Sequence, residues 1–388
     1  MEDLTGASLT QREDAGSGIL QGRKPRVGFD ARWYNDSGVG TYVAELLRAM
    51  VPLQEQFELV VYQDVKNKVP GLDSLPVKTR EVDAGKYSIA AQFELARCCR
   101  IDSLDLFHAP FYAAPLRAPC PVVVTIHDLI PFLFRTSGWP KQSLVKIGYR
   151  AAVRRAAHLI AVSKSTAHDL EKVLRVAPER ITAVHNAAAR EFSPDGAPEE
   201  LSILEKKYGV RPPYAVLASA RNWRTKNLES ALRALALARQ QGSIRFQTVV
   251  YGPPEGIDAA KSAVQDLDLV RAGFLPSHDL AILFRHAHVF VMPSLYEGFG
   301  LPVLEAMSCG CAAITSDRGS LAEVAGTGAQ VFDPYDVTGM AAAIAKLLRD
   351  EKLLIRWRMA AQVRSGDFSW ARAAAETLSI YHRMLRQT

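Results

Sequence analysis

The chain has 388 residues, a formal charge of +6 and 48% hydrophobic residues, which is too long for one ordinary core and has the composition of a globular protein. Its longest apolar runs, such as "PVVVTI" and "HVFVM", fall far short of the roughly 20 residues of a membrane span, and no aromatic-basic interleaving marks a nucleic-acid surface. The five cysteines, Cys98, Cys99, Cys120, Cys309 and Cys311, are odd in number and lack zinc-site spacing, so a reducing cytoplasm suits them better than a disulfide framework.

Residues 1–25 are acidic, Gly/Ser-rich and without an apolar centre, and read as a polar, flexible leader rather than a secretory signal. From Arg26 short apolar runs alternate with amphipathic stretches: "RVGFD", "GTYVAELLRAMVPL", "FELVVYQ", "DLFHAP", "PVVVTIHD" and "LIAVSKSTAHDLEKVL". That alternation predicts an α/β domain over 26–200, a parallel sheet covered by helices on both faces. A polar, Pro-containing segment near 190–214 reads as the connection. The pattern then restarts with "AVLASA", "NLESALRALALAR" and "FQTVVYG", giving a second α/β domain over 201–370. Ligands in such sheets bind outside the carboxyl ends of the strands, so two facing domains make an interdomain cleft. Residues 371–388 form a terminal helix, expected to pack back on the first domain.

In "VFVMPSLYEGFGLPVLEAMSCG" a strand ends at Pro293, a loop with Gly298 and Gly300 follows, and Pro302 stands in the first turn of a helix that runs to Gly310. Proline is favoured there, and Gly310 suits the helix end. A helix start of this kind gathers backbone N–H groups and suits a phosphate. Glu297 and Glu305 flank the turn, and carboxylates accept from sugar hydroxyls rather than from phosphate. Together they point to a nucleotide sugar; the alternative is a capped helix with acidic neighbours. Arg221 and Lys226, in "LASARNWRTKNLESAL", offer the cations a diphosphate needs, unless that loop is merely solvated. Gly38 and Gly40 follow the first strand and precede a helix, as a weak dinucleotide-type fingerprint or a plain tight turn. His127 and Asp128 directly follow the strand "VVVTI", where ligand-binding residues concentrate, although a lone histidine there is also compatible with a structural role. The acidic pair Asp266 and Asp268, and Asp317 alone, do not make an Asp-x-Asp metal site, so no essential divalent metal is expected. Lys141, Lys146, Arg150, Arg154 and Arg155 are spaced to form one basic face on a helix over 141–158. Such a face is either simply solvated or docks on anionic lipid.

This set resembles the retaining glycosyltransferases of family GT4, which have the GT-B fold of two facing Rossmann-like domains, implying that the domain over 26–200 binds the acceptor and that over 201–370 the nucleotide sugar. The resemblance rests on "EGFGLPVLE" followed by "AMSCGCAAITSDRGSLAEV", on "RNWRTKN" and on "IAVSKSTAHDL", in that family's order and spacing, and it covers the chain from about Arg26. It implies that Arg221, Lys226 and the amides of Phe299, Gly300 and Leu301 bind the donor diphosphate. Glu305 would hold the nucleotide ribose and Glu297 the transferred sugar. His127 would contact the sugar near the reacting carbon, with Gly38 and Gly40 as the first-loop glycines. Departures from the pattern are Ser37 in place of a glycine, Ala220 before the arginine, and "VHNAAA" where a "PNG"-type turn is usual.

The resemblance further implies retention of anomeric configuration, no cofactor, and a nucleotide-sugar donor. "GFDARWYNDSGVGTY", "LFHAPFYAAP" and "TIHDLIPF" are similar to bacterial mannosyltransferases of O-antigen and exopolysaccharide assembly, which implies GDP-mannose, with a UDP-hexose as runner-up. The expected acceptor is a glycan or a polyprenyl-diphosphate-linked glycan, met in the cytoplasm or on the inner face of the membrane. A nucleotide-sugar epimerase, a non-catalytic nucleotide-sugar or polysaccharide-binding module and a dehydrogenase are the competing readings.

Overall fold

The computed structural model describes residues 23–387, apart from residues 136–137, 198, 221–222, 243–244, 256 and 258–266. Thirteen strands among the described residues form two sheets. The first holds β1 (Arg26–Asp30), β2 (Glu58–Asp64), β3 (Lys78–Val82), β4 (Leu106–Ala109), β5 (Val122–Ile126), β6 (His158–Ala161) and β7 (Ile181–Ala183), in the order β3-β2-β1-β4-β5-β6-β7. The second holds β8 (Tyr214–Ala218), β9 (Gln247–Tyr251), β10 (Asp268–Gly273), β11 (Val289–Met292), β12 (Ala313–Ser316) and β13 (Gln330–Phe332), in the order β10-β9-β8-β11-β12-β13. Every pairing is parallel. The central strands are apolar throughout because helices cover both faces: every residue of β5 and of β8 is buried.

The terminal helix Trp370–Arg386 lies against the helix Ser37–Met50, and Trp370, Leu378 and Tyr381 belong to the same buried core as Phe29, Tyr42 and Leu46. A polar chain runs through this core. The Tyr381 hydroxyl meets His108 Nδ1 at 2.5 Å, His108 Nε2 meets Thr125 Oγ1 at 2.8 Å, and Thr125 meets the Tyr42 hydroxyl at 2.9 Å. Burial drives the His108 pKa down to about 3, so this histidine is a neutral structural link. Each of these buried groups is satisfied, which is what a dry interior demands.

The two domains meet at the motif loop. The Gly298 carbonyl accepts hydrogen bonds from Ser163 Oγ at 2.6 Å and from Thr166 Oγ1 at 3.0 Å. A Cβ on Gly298 would stand 1.7 Å from the His127 carbonyl oxygen, so only glycine lets the two backbones approach this closely. Glu323, in the helix Leu321–Ala325, accepts from the amides of Lys164 at 2.9 Å and Ser165 at 3.2 Å, at the start of the helix Lys164–Leu174. Tyr296 donates to Asp169 at 2.6 Å, and Phe299 shares an apolar cluster with Val162, Leu304 and Val324. The seam thus anchors the loop that carries Glu297 to the first domain.

Candidate active site

Each sheet reverses its strand order once, between β1 and β4 in the first and between β8 and β11 in the second, and a crevice opens at the carboxyl end of such a reversal. The two crevices merge into a cleft of about 810 Å³. Its first-domain wall carries Trp33, Asn35, Asp36 and Gly38 after β1, with Phe111 after β4. Its second-domain wall carries Ser219 after β8, Gly252 after β9, Phe274 and Leu275 after β10, together with Lys226 and Pro302.

Lys226 closes the one-turn helix Trp223–Lys226, and its Nζ lies 2.8 Å from Glu297 Oε1, with both side chains mostly buried. Neither is a free charge awaiting a ligand, as the sequence suggested; each orients the other. Arg221 lies outside the described residues. The motif helix spans Leu301–Ser308 with Pro302 in its first turn, and Gly300 precedes it at φ +99°. Phe299 is buried, its side chain packed in the seam. Cys309 ends the helix, and Gly310 follows at φ +72°.

Glu305, on that helix, has no hydrogen-bond partner for its carboxylate among the described residues. Burial lifts its pKa to about 7, with Lys226 pulling in the opposite direction. The Tyr251 hydroxyl, held at the same wall, is buried without a partner, and burial together with Glu305 and Glu297 raises its pKa. A buried hydroxyl without a partner, with a carboxylate nearby, suits a ligand rich in hydroxyl groups.

His127 follows β5, and its ring stands edge-on to Tyr42 at 4.9 Å. Burial takes its pKa down to about 4, so the ring is neutral at physiological pH. Its Nε2 lies 2.8 Å from the Pro110 carbonyl oxygen, which only accepts. The proton therefore sits on Nε2, and Nδ1 is an acceptor. Such a ring accepts from a sugar hydroxyl and offers nothing to a phosphate. Beside it, burial and then the nearby Glu297 push the Asp128 pKa up to about 6. Asp128, singled out with His127 from the sequence, is thus a buried seam carboxyl with a raised pKa.

Three expectations need correction. Gly38 and Gly40 lie inside the first turn of the helix that starts at Ser37, not in a loop before it. Gly38 lines the cleft, but Gly40 serves packing: a Cβ there would fall 2.1 Å from the Tyr34 carbonyl oxygen. The basic helix spans Trp139–Arg155, and His158 already begins β6. Arg155 also turns inward, donating to the carbonyls of Leu116, Ala118 and Cys120. Among the described residues no group of three or more His, Cys, Asp or Glu is placed to hold a metal ion; Asp266 lies outside them. The sequence reading missed Tyr251, Phe274 and Tyr87, since a single aromatic residue carries no periodic signal.

Two family models match the chain, Glycosyltransferase Family 4 over residues 37–192 and Glycosyl transferases group 1 over residues 204–364. The chain belongs to the glycosyltransferases. This glycosyltransferase is 31% identical over 294 residues to the serotype-specific mannosyltransferase WbdA of Escherichia coli, an alignment covering 72% of the chain and 36% of WbdA. The chain therefore spans about a third of the length of that relative. It is 28% identical over 374 residues to the O-antigen chain mannosyltransferase B of Escherichia coli, covering 90% of the chain and 96% of the relative. Its fold matches that of sucrose-phosphate synthase from Thermosynechococcus elongatus with a TM-score of 0.73 at 17% identity, over 94% of this chain and all of that one. The architecture is GT-B.

A carboxyl whose folded pKa lies above its unfolded value costs stability as pH rises through that interval, and the cost is complete above the folded pKa. Glu305→Gln is therefore expected to raise the melting temperature of the free protein at pH 8, by an amount that shrinks at pH 5, while weakening nucleotide affinity at pH 8 by about tenfold. Thermal unfolding at the two pH values and nucleotide titration check this; an equal melting-temperature change at both would remove the assigned titration.

Proposed function

We propose that this glycosyltransferase moves a hexose, mannose from GDP-mannose, to a glycan or lipid-linked glycan with retention of configuration. The observation that carries the reading is the Lys226–Glu297 pair, fixed beside the start of the motif helix and facing the His127 side of the seam. The choice of mannose draws on the names of the two mannosyltransferase relatives.

In this mechanism Lys226, Arg221 and the amides of Phe299, Gly300 and Leu301 hold the diphosphate, so no resident metal is required. Glu305 accepts from the ribose hydroxyls, and Phe274, 76% exposed at the cleft, offers its ring to the nucleobase. Glu297 and His127 Nδ1 accept from hydroxyls of the transferred sugar. The bond from the anomeric carbon to the diphosphate breaks as the acceptor hydroxyl attacks from the same face. A phosphate oxygen takes the acceptor proton. The protein's main contribution is stabilisation of charge on the leaving diphosphate by groups already in place.

The reading extends to location. The helix Trp139–Arg155 exposes Trp139 at 78%, Leu144 at 69% and Ile147 at 60%, interleaved with exposed Lys141, Arg150 and Arg154. Apolar side chains among cations suit the surface of an anionic bilayer, and all five cysteines are free thiols, which fits the cytoplasmic side. The chain should sediment with vesicles containing anionic lipid and not with zwitterionic ones, and Trp139→Ala with Arg150→Glu should abolish this. Equal binding to both vesicle types would remove the proposal.

Lys226→Ala is expected to lower turnover at saturating donor by roughly 10²–10³-fold while leaving the thermal unfolding cooperative. NMR of the wild-type product should show the donor's anomeric configuration in a new glycosidic bond. Wild-type rates in the variant would contradict the role of Lys226. Free sugar or an epimer formed from donor alone would favour the epimerase reading.

A further inference from the structure

A second cavity, of about 230 Å³, opens in the first domain away from the cleft. It forms where the helices Trp139–Arg155 and Lys164–Leu174 both end, and its lining is Arg150, Val153, Arg154, Val173, Leu174 and Arg175. In a parallel sheet each helix runs back from the carboxyl end of one strand to the amino end of the next. The helix Lys164–Leu174 accordingly starts at the seam, where Glu323 accepts from the amides of Lys164 and Ser165, and finishes at this cavity. The cavity therefore lies at the opposite edge of the sheet from the cleft, roughly 20 Å along the helix Trp139–Arg155 from its first turn.

The arginines that crowd this edge are of two kinds. Arg155 donates to the carbonyls of Leu116, Ala118 and Cys120, and Arg180 donates to those of Val153 and Ala156, closing the last turn of the helix. Both are taken up by backbone. Arg150, Arg154 and Arg175 are exposed, and among the described residues none of them has a hydrogen bond or an ion pair. Arg150 rests against the face of the Phe132 ring, 5.1 Å from its centre, which positions the guanidinium without neutralising it. Arg175 follows its helix at φ +54°, a position that commonly belongs to glycine and here carries a cation. Among the described residues no carboxylate lines the cavity. The negative ends of the two helix dipoles draw cations to this place but leave most of their charge uncompensated.

Like charges around one small cavity repel each other, and an anion that enters relieves the repulsion. Val153, Val173 and Leu174 supply apolar floor and wall, so the guanidinium groups alone choose the ligand. Their planar forks match the oxygens of phosphate two at a time. A phosphate that is esterified on both sides lies flush with a lipid surface, whereas a terminal phosphate or diphosphate projects and can enter a concavity. We propose that this cavity binds a terminal phosphate or diphosphate group and is a second anion site, separate from the donor cleft. The bilayer reading above needs only a basic, apolar-studded surface; this site needs a phosphate that projects into it. Its source is a soluble phosphorylated molecule or a lipid headgroup that ends in phosphate.

The full chain, the double variant Arg154→Gln with Arg175→Gln, and Lys226→Ala are each titrated by calorimetry with inorganic pyrophosphate. A saturable event that weakens at least about tenfold in the double variant and persists in Lys226→Ala is the expected result. Both replaced side chains are exposed, so thermal unfolding and the rate of sugar transfer should match the wild type. Flotation with vesicles at matched surface charge identifies the source, since phosphatidic acid ends in phosphate and phosphatidylglycerol carries a diester. A preference for phosphatidic acid that the double variant loses assigns the site to a lipid headgroup; pyrophosphate binding without that preference assigns it to a soluble ligand. If neither response depends on Arg154 and Arg175, the proposal is overturned, and pyrophosphate binding lost only in Lys226→Ala would then belong to the donor cleft.

Discussion

At Gly298 the second domain touches the first backbone to backbone, and the site is arranged around that contact. A side chain there would collide with the His127 carbonyl. Because it is absent, the motif loop lies against the end of β5 and its carbonyl is held by Ser163 and Thr166. Glu297 on one side of the contact, and His127 with Asp128 on the other, are brought to one place by a single close approach. Phe299 then fills the seam with its side chain and leaves its amide beside the helix start.

Electrostatics divides the cleft that results. Lys226 and Glu297 neutralise each other at rest. In the proposed mechanism an arriving diphosphate competes for Lys226, and the sugar hydroxyls that come with it give Glu297 new partners. Glu305 and Asp128 carry raised pKa values chiefly because they are buried, so each loses part of its solvation before any ligand supplies a replacement. Across the cleft, Asp36 and Lys86 cancel each other.

The parts of this arrangement legible in the sequence are those fixed by local rules. Apolar runs of strand length gave both parallel sheets, and Pro302 and Gly310 marked the two ends of the motif helix because proline and glycine act through their own backbone. What escaped depends on contacts between distant segments. Gly298 was legible as a glycine of a turn, but its reason is the His127 carbonyl of the other domain. Lys226 and Glu297 were each chosen for a ligand, and their mutual pairing across 71 positions was invisible. Gly40 was misread because the same freedom of approach that admits a ligand also admits the Tyr34 carbonyl. Arg155 looked like one more cation of a basic face until the chain brought three carbonyls to it.

Lys226 and the start of the motif helix are proposed to form a diphosphate site that works without a metal. Calorimetric titration of GDP and UDP into the wild-type chain in the presence of a chelator tests it directly. Saturable one-to-one binding of a nucleoside diphosphate, weakening as salt rises, is the predicted result. Binding that appears only after a divalent cation is added, or no binding of either nucleotide, would contradict it.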